Sequence, residues 1–192
     1  WPRDGAFVAV ALARTGHAGD AVRLLELTAG LYLDPLYGFD ARYLPTGERV
    51  VVDARGAQVD GCGWVLWAIH ETSLVVEVPA EVSGLRDRCT DQVLRATGGG
   101  SRLAAPSPDY WERATFDHLL GANAPLAAGL RSAAEDYGAS GDTARAATVG
   151  EAADTFRGVV ADRFGPDFHR GGDGGGLDAA TAMLLPPFDP DP

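Results

Sequence analysis

The sequence predicts an all-α protein of about seven helices that come in consecutive pairs. Three observations lead there. Apolar residues recur at three- and four-residue spacing through most of the chain. Gly and Pro interrupt that pattern between segments of helical length. The one β-branched run is short and lies in a stretch of turn residues. The 192 residues suit one domain or part of a larger one, and a hydrophobic content of 46% is enough for a core.

In chain order, residues 5–15 read as a short apolar helix ending at Gly16. Over 19–33, Val22, Leu25, Thr28, Ala29 and Tyr32 fall on one face, Asp20 places a charge near the N-terminus, and Pro35 stops the helix. Residues 36–52, LYGFDARYLPTGERVVV, carry aromatics, a PTGE turn and the β-branched run, and predict a long loop or hairpin. Helicity resumes over 60–77, with Val65, Leu66, Ile69, Ser73 and Val76 aligned, and over 80–97, with Val82, Leu85, Cys89 and Val93 aligned. GGGS at 98–101 ends that helix, and Pro106 and Pro108 keep 102–114 out of helix. Residues 115–137 are helical, either kinked at Pro125 or starting near Asn123 with Pro125 in the first turn. A stripe of Val149, Ala152, Ala153, Phe156, Val159, Val160 and Phe164 marks a helix over 141–164. A glycine loop, HRGGDGGG, leads to a last short helix in LDAATAMLLP and a proline-rich end. The pairing has no fixed-period motif, so it is not a repeat array; helical hairpins joined by irregular loops suggest a toroid of helix pairs.

The charge balance excludes some functions. The formal net charge is −11, from 16 basic and 27 acidic residues, and nucleic acids and anionic membranes both require a basic footprint. All basic residues are Arg, which removes Schiff-base and P-loop lysine chemistry. Cys62 and Cys89 have no CxxC spacing and read as two buried thiols. No apolar run reaches transmembrane length and no signal peptide is visible; the compartment stays open, with the cytoplasm preferred over secretion. His17, His70, His118 and His169 are isolated and the serines lack a GxSxG elbow, so neither a metal site, another cofactor nor a serine triad is expected.

Chemistry concentrates in the loops, where a rigid helical scaffold presents it. In WPRD, Asp4 is either a helix cap or, with Arg3 and Trp1, part of a sugar pocket. There a carboxylate accepts from hydroxyls, a guanidinium donates as a fork and an indole covers a pyranose face. In QVDGCGW, Asp60 is either a cap or a site residue, and Trp64 and Trp67 read as core. In DYWER, between prolines, Glu112 beside Trp111 is either a solvated turn or a carboxylic acid kept protonated by its apolar neighbour. GGDGGG lacks Lys, Ser and Thr and reads as a loop rather than a phosphate cradle.

Four segments, in order, carry a family resemblance. WPRDGAFVAVALARTGH, QVDGCGWVLWAI, DYWERATFDHLLGANAPLAAGLRSAAE and LDAATAMLLPPF resemble the W-x-R-D, Q-x-D-G, L-W-E-E and D-A-S-x-L-L-L-P-P-F segments of family 15 glycoside hydrolases, the glucoamylase and glucodextranase group. The resemblance implies an (α/α)6 toroid of twelve helices and inverting hydrolysis of α-glucosides by a general acid and a general base. Glu112 matches the acid, Trp111 its neighbouring indole, Arg3 and Asp4 the pair holding the terminal sugar, Trp1 the aromatic before that pair, and Asp60 a residue near the same pocket. Arg113 stands where the family has a second Glu, and the acid role requires it to point away. The family's base lies beyond the last matched segment. The resemblance therefore implies a partial toroid of about seven helices over 1–192, poorly stable and inactive alone, from a parent that releases glucose from α-glucans, isomalto-oligosaccharides or trehalose. Two other outcomes stay open: a non-catalytic carbohydrate-binding or regulatory domain of the same architecture, and a generic helical-hairpin domain in which Glu112, Arg3 and Asp4 lie on different faces.

Overall fold

A computed structural model describes residues 1–50, 57–171 and 176–188. The protein is all-α. Among the described residues six α-helices, α1 (Pro2–Arg14), α2 (Ala18–Ala29), α3 (Asp60–Ser73), α4 (Ala80–Ala96), α5 (Leu120–Ala139) and α6 (Thr143–Phe164), are followed by one 3-10 helix, Ala179–Leu184. The region expected as a long loop or hairpin, 36–52, supplies only β1 (Phe39–Asp40) of a two-residue antiparallel ladder; its partner β2 (Ala57–Gln58) lies beyond that region, with Phe39 opposite Gln58. Within 36–52 the PTGE turn closes as expected, Leu44 N–H donating to Glu48 O at 2.8 Å. Residues 51–52 of the β-branched run, most of GGDGGG and the DPDP end lie outside the described residues.

The helices pack as three hairpins, α1 with α2, α3 with α4 and α5 with α6; α3 also lies against α1 and α5, so the odd-numbered helices form one row, while α2 packs on α4. This order follows from apolar coverage. The buried face of α1 is Pro2, Ala6, Ala9, Val10 and Ala13, a single helical stripe. In α3 nearly every residue is buried, and in α5 most are, as a helix covered on several sides requires. The stripe of α6 is the one expected, and Asp142 caps it by accepting from Arg145 N–H at 3.0 Å.

The row is tight because two glycines face one another. A Cβ on Gly129 would lie 2.6 Å from Gly63 O, and one on Gly63 would overlap the Pro125 carbonyl. Pro125 sits inside α5 rather than at its start, and the helix begins at Leu120, later than the spacing suggested. Helix α2 ends at Gly30, before Pro35 can stop it, so Tyr32 leaves the helical stripe and is exposed. Helix α3 ends at Ser73, and Val76 is not part of it.

Cys62 and Cys89 are not two thiols but one disulfide, with Cα atoms 5.0 Å apart where α3 crosses α4. The sequence hid the pairing because the two lie on different helices that only the fold brings together. Disulfides persist in oxidising compartments, which runs against the cytoplasmic preference drawn from the sequence. At the far end of α3, His70 Nδ1 meets Asp136 Oδ1 at 2.8 Å and Nε2 meets Glu135 Oε2 at 3.1 Å, bracing α3 against α5; Glu71 pairs with Arg14 of α1. No helix among the described residues is long and apolar enough to cross a membrane.

Candidate functional site

The loops before α3 and before α5 meet the first turn of α1. From that turn, Arg3 extends its guanidinium to the start of α3. Nη1 donates to Asp60 Oδ2 at 2.7 Å and Nη2 to Gln58 Oε1 at 2.9 Å. Asp60 is the first residue of α3 but caps nothing: its Oδ2 accepts from Arg3 and, at 3.2 Å, from the Trp64 indole N–H one turn on. The carboxyl is buried, and burial pushes it up to about 6, against the opposing pull of Arg3 and Trp64 and with added repulsion from Asp109. Asp60 Oδ1 and Gln58 Nε2, one acceptor and one donor, are buried without a hydrogen-bond partner among the described residues.

Glu112 reaches the same place from the loop between α4 and α5, its Oε1 3.9 Å from Arg3 Nη2. Its φ is 53°, in the left-handed region that side chains rarely adopt. The conformation is held from behind. Asp109 accepts the Glu112 N–H on its carbonyl at 2.8 Å and the Trp111 N–H on Oδ1 at 3.0 Å, a turn built on an aspartate side chain. Arg170 grips the same buried carboxylate with Nε on Oδ2 at 3.0 Å and Nη2 on Oδ1 at 2.9 Å. Asp178, the residue that caps the 3-10 helix, lies 3.4 Å from Arg170 Nε and accepts from the Trp111 indole at 3.4 Å. Ser107 Oγ accepts from Val59 N–H at 3.2 Å and ties this loop to the Gln58–Asp60 turn.

Of the residues singled out in the sequence, Arg3, Asp60 and Glu112 converge. Trp1 and Trp111 are half exposed, at 52% and 57%, with the Arg42 guanidinium 5.9 Å from the Trp1 ring centre. Asp4 follows Arg3 and is exposed, and Arg113 is exposed too. Trp64 and Trp67 are core, as expected. With Phe7 and Phe188 they form an aromatic cluster with ring centres 4.8 to 5.9 Å apart. Arg3 and Glu112 thus share one locus, whereas no contact joins Asp4 to it among the described residues. Sequence reasoning missed Gln58, Asp109, Arg170 and Asp178. Asp109 carried a weak signal as the first acid of DYWER; Arg170 carried none, in a loop that reads as flexible.

The arrangement combines a fixed guanidinium fork, several carboxyl groups and exposed indoles. It can grip a hydroxyl-rich, flat-faced molecule and set one carboxyl against it. Among the described residues no three His, Cys, Asp or Glu side chains gather to hold a metal ion. No protein-family model, curated protein or solved structure matches this chain.

Proposed function

We propose that this chain carries the acid side of an inverting α-glucoside hydrolase of the glucoamylase type, within a six-hairpin toroid of which its helices form part. The single observation behind the reading is the meeting of Glu112 with Arg3 and Asp60, from three separate segments, at a place flanked by exposed Trp1 and Trp111. In this reading Glu112 protonates the leaving glycosidic oxygen, Arg3 and Asp4 hold the hydroxyls of the terminal glucose, and the indoles cover sugar faces. Asp60 and Gln58 fix the Arg3 fork so that it presents one geometry to the ligand. The base that activates water is not assigned among these residues. The row of odd-numbered helices backed by even-numbered ones is the arrangement a helical-hairpin toroid would have along part of its circumference.

The test uses the protein expressed from the full reading frame that encodes this chain. With maltose, isomaltose and trehalose as substrates, proton NMR should show β-glucose as the first product. Glu112→Gln should lower kcat at least about 100-fold, the usual scale of general acid catalysis. Turnover by Glu112→Gln close to that of the wild type would remove Glu112 from the acid role. Binding of the sugars without any turnover would favour the carbohydrate-binding domain.

A further inference from the structure

A cavity of about 650 Å³ is lined in part by Val59, between Gln58 and Asp60, and contains none of Arg3, Gln58, Asp60 or Glu112. It touches that site only through Val59, and its size is ordinary for a small-molecule pocket. Its walls are unusual for this chain. Acidic residues outnumber basic ones 27 to 16 overall. Yet among the described residues lining the cavity none is acidic, and Arg102, His118 and Arg163 come to it from three different segments.

Each of these groups is presented in a defined way. Arg102 stands two residues after three consecutive glycines in the left-handed region, Gly98, Gly99 and Gly100, and its Nε lies 3.0 Å from where a Cβ on Gly98 would be. A side chain at 98 would therefore displace the guanidinium. His118 Nδ1 lies 2.9 Å from Ala104 O; a carbonyl only accepts, so Nδ1 carries the hydrogen and Nε2 is the nitrogen left for a ligand. Arg163 is anchored by donation from Nη2 to Gly171 O at 3.3 Å. The rest of the lining is apolar or aromatic, including Leu36, Leu103 and the half-exposed Tyr37.

We propose that this cavity binds a phosphomonoester carried on a compact ring-bearing body. Guanidinium forks match phosphate oxygens in pairs, and two of them reach this cavity from separate segments. The leucines and Tyr37 supply a flat apolar surface for a ring. A sugar phosphate and a mononucleotide share this chemistry. The proposal does not rest on the role given to Glu112.

Calorimetric titration of the full-length protein with glucose 6-phosphate, AMP, inorganic phosphate and glucose tests it. One of the two esters should bind with one-to-one stoichiometry, and which one does so identifies the ring. Neutral glucose should give no signal that Arg102→Ala alters. Arg102→Ala should weaken the ester at least about tenfold, the scale of one lost charge-assisted hydrogen bond, and Arg102→Glu should abolish binding. Arg102 is exposed, so both variants should fold, which circular dichroism checks. Absence of binding by both esters, or unchanged affinity in both variants, would overturn the proposal. Inorganic phosphate bound as tightly as either ester would overturn it too, because the apolar walls would then contribute nothing.

Discussion

Arg170 grips the buried carboxylate of Asp109 with two hydrogen bonds, of 3.0 and 2.9 Å, across 61 residues of sequence. Three residues after Asp109 stands Glu112, in a backbone conformation that nothing in its own side chain favours. The pair is therefore the backing of the candidate site: Arg170 fixes Asp109, and Asp109 fixes the N–H groups of Trp111 and Glu112.

Removing Arg170 should expose that dependence. Arg170→Met leaves a fully buried carboxylate without its fork, and breaking a buried pair on one side costs about 3 to 5 kcal/mol. Urea denaturation should show a loss of that order. Arg170→Lys should recover only part of it, because an ammonium cannot bond both oxygens in parallel. If Lys restored full stability, the fork geometry would not be what holds the loop.

The glycines of the helix row give an opposite pair of outcomes. Gly63→Ala forces a methyl group into the Pro125 carbonyl, with backbone on both sides and nothing able to rotate away. The expected loss is about 3 kcal/mol or more, at the upper end of overpacking penalties. Gly158, inside α6, has open space around its Cβ direction, so Gly158→Ala should stabilise by about 0.5 to 1 kcal/mol. Thermal melts of the two variants side by side would check both signs.

Stability should also fall as the pH rises, for two separable reasons. Asp60 is raised from 3.8 to about 6 in the folded protein, so between those values the folded state binds more protons than the unfolded one. Its contribution is complete below about pH 4 and is lost as the pH rises through about 6. His70 is raised from 6.5: burial works against the charged form, but the Asp136 hydrogen bond and the charges of Asp136, Glu135 and Glu71 outweigh it. Its contribution is present below 6.5 and is lost as the pH climbs through the raised folded value. Urea midpoints measured from pH 4 to 9 for wild type and His70→Gln should differ most at the acid end of the histidine window and converge above it. A constant offset at every pH would show that His70 acts by packing alone.

The helices were legible because their information is local. The stripes of α4 and α6 each lie within a few turns of sequence, and the same residues, Val159 apart, are buried in the structure. Arg3, Asp60 and Glu112 were legible through the segments around them. What holds them was not. Arg170 is a lone cation in a glycine loop, and Gln58 is an ordinary strand-end amide; each acquires its role only from a partner about 60 residues away. Spacing rules see a turn or two of helix, and the close passage of Gly63 and Gly129 lies beyond that reach as well. The disulfide was missed for the same reason.

That disulfide supplies the last test. Cys62 lies two residues beyond Asp60 on α3, and Cys89 lies in the middle of α4, both fully buried, so the bond ties the helix that carries the site to the helix behind it. The closed loop spans 27 residues, and by chain entropy alone such a loop is worth about 3.5 kcal/mol. The oxidised protein denatured in urea should show no reactive thiol toward Ellman's reagent and should show two after reduction. The double variant Cys62→Ala, Cys89→Ala should unfold at a lower urea midpoint, by about that free energy, and reductant should lower the wild-type midpoint while leaving the variant's unchanged. Two reactive thiols in the unreduced, denatured protein would mean that the cysteines pack side by side without bonding, and the wild type and variant would then differ only by the lost sulfur volume.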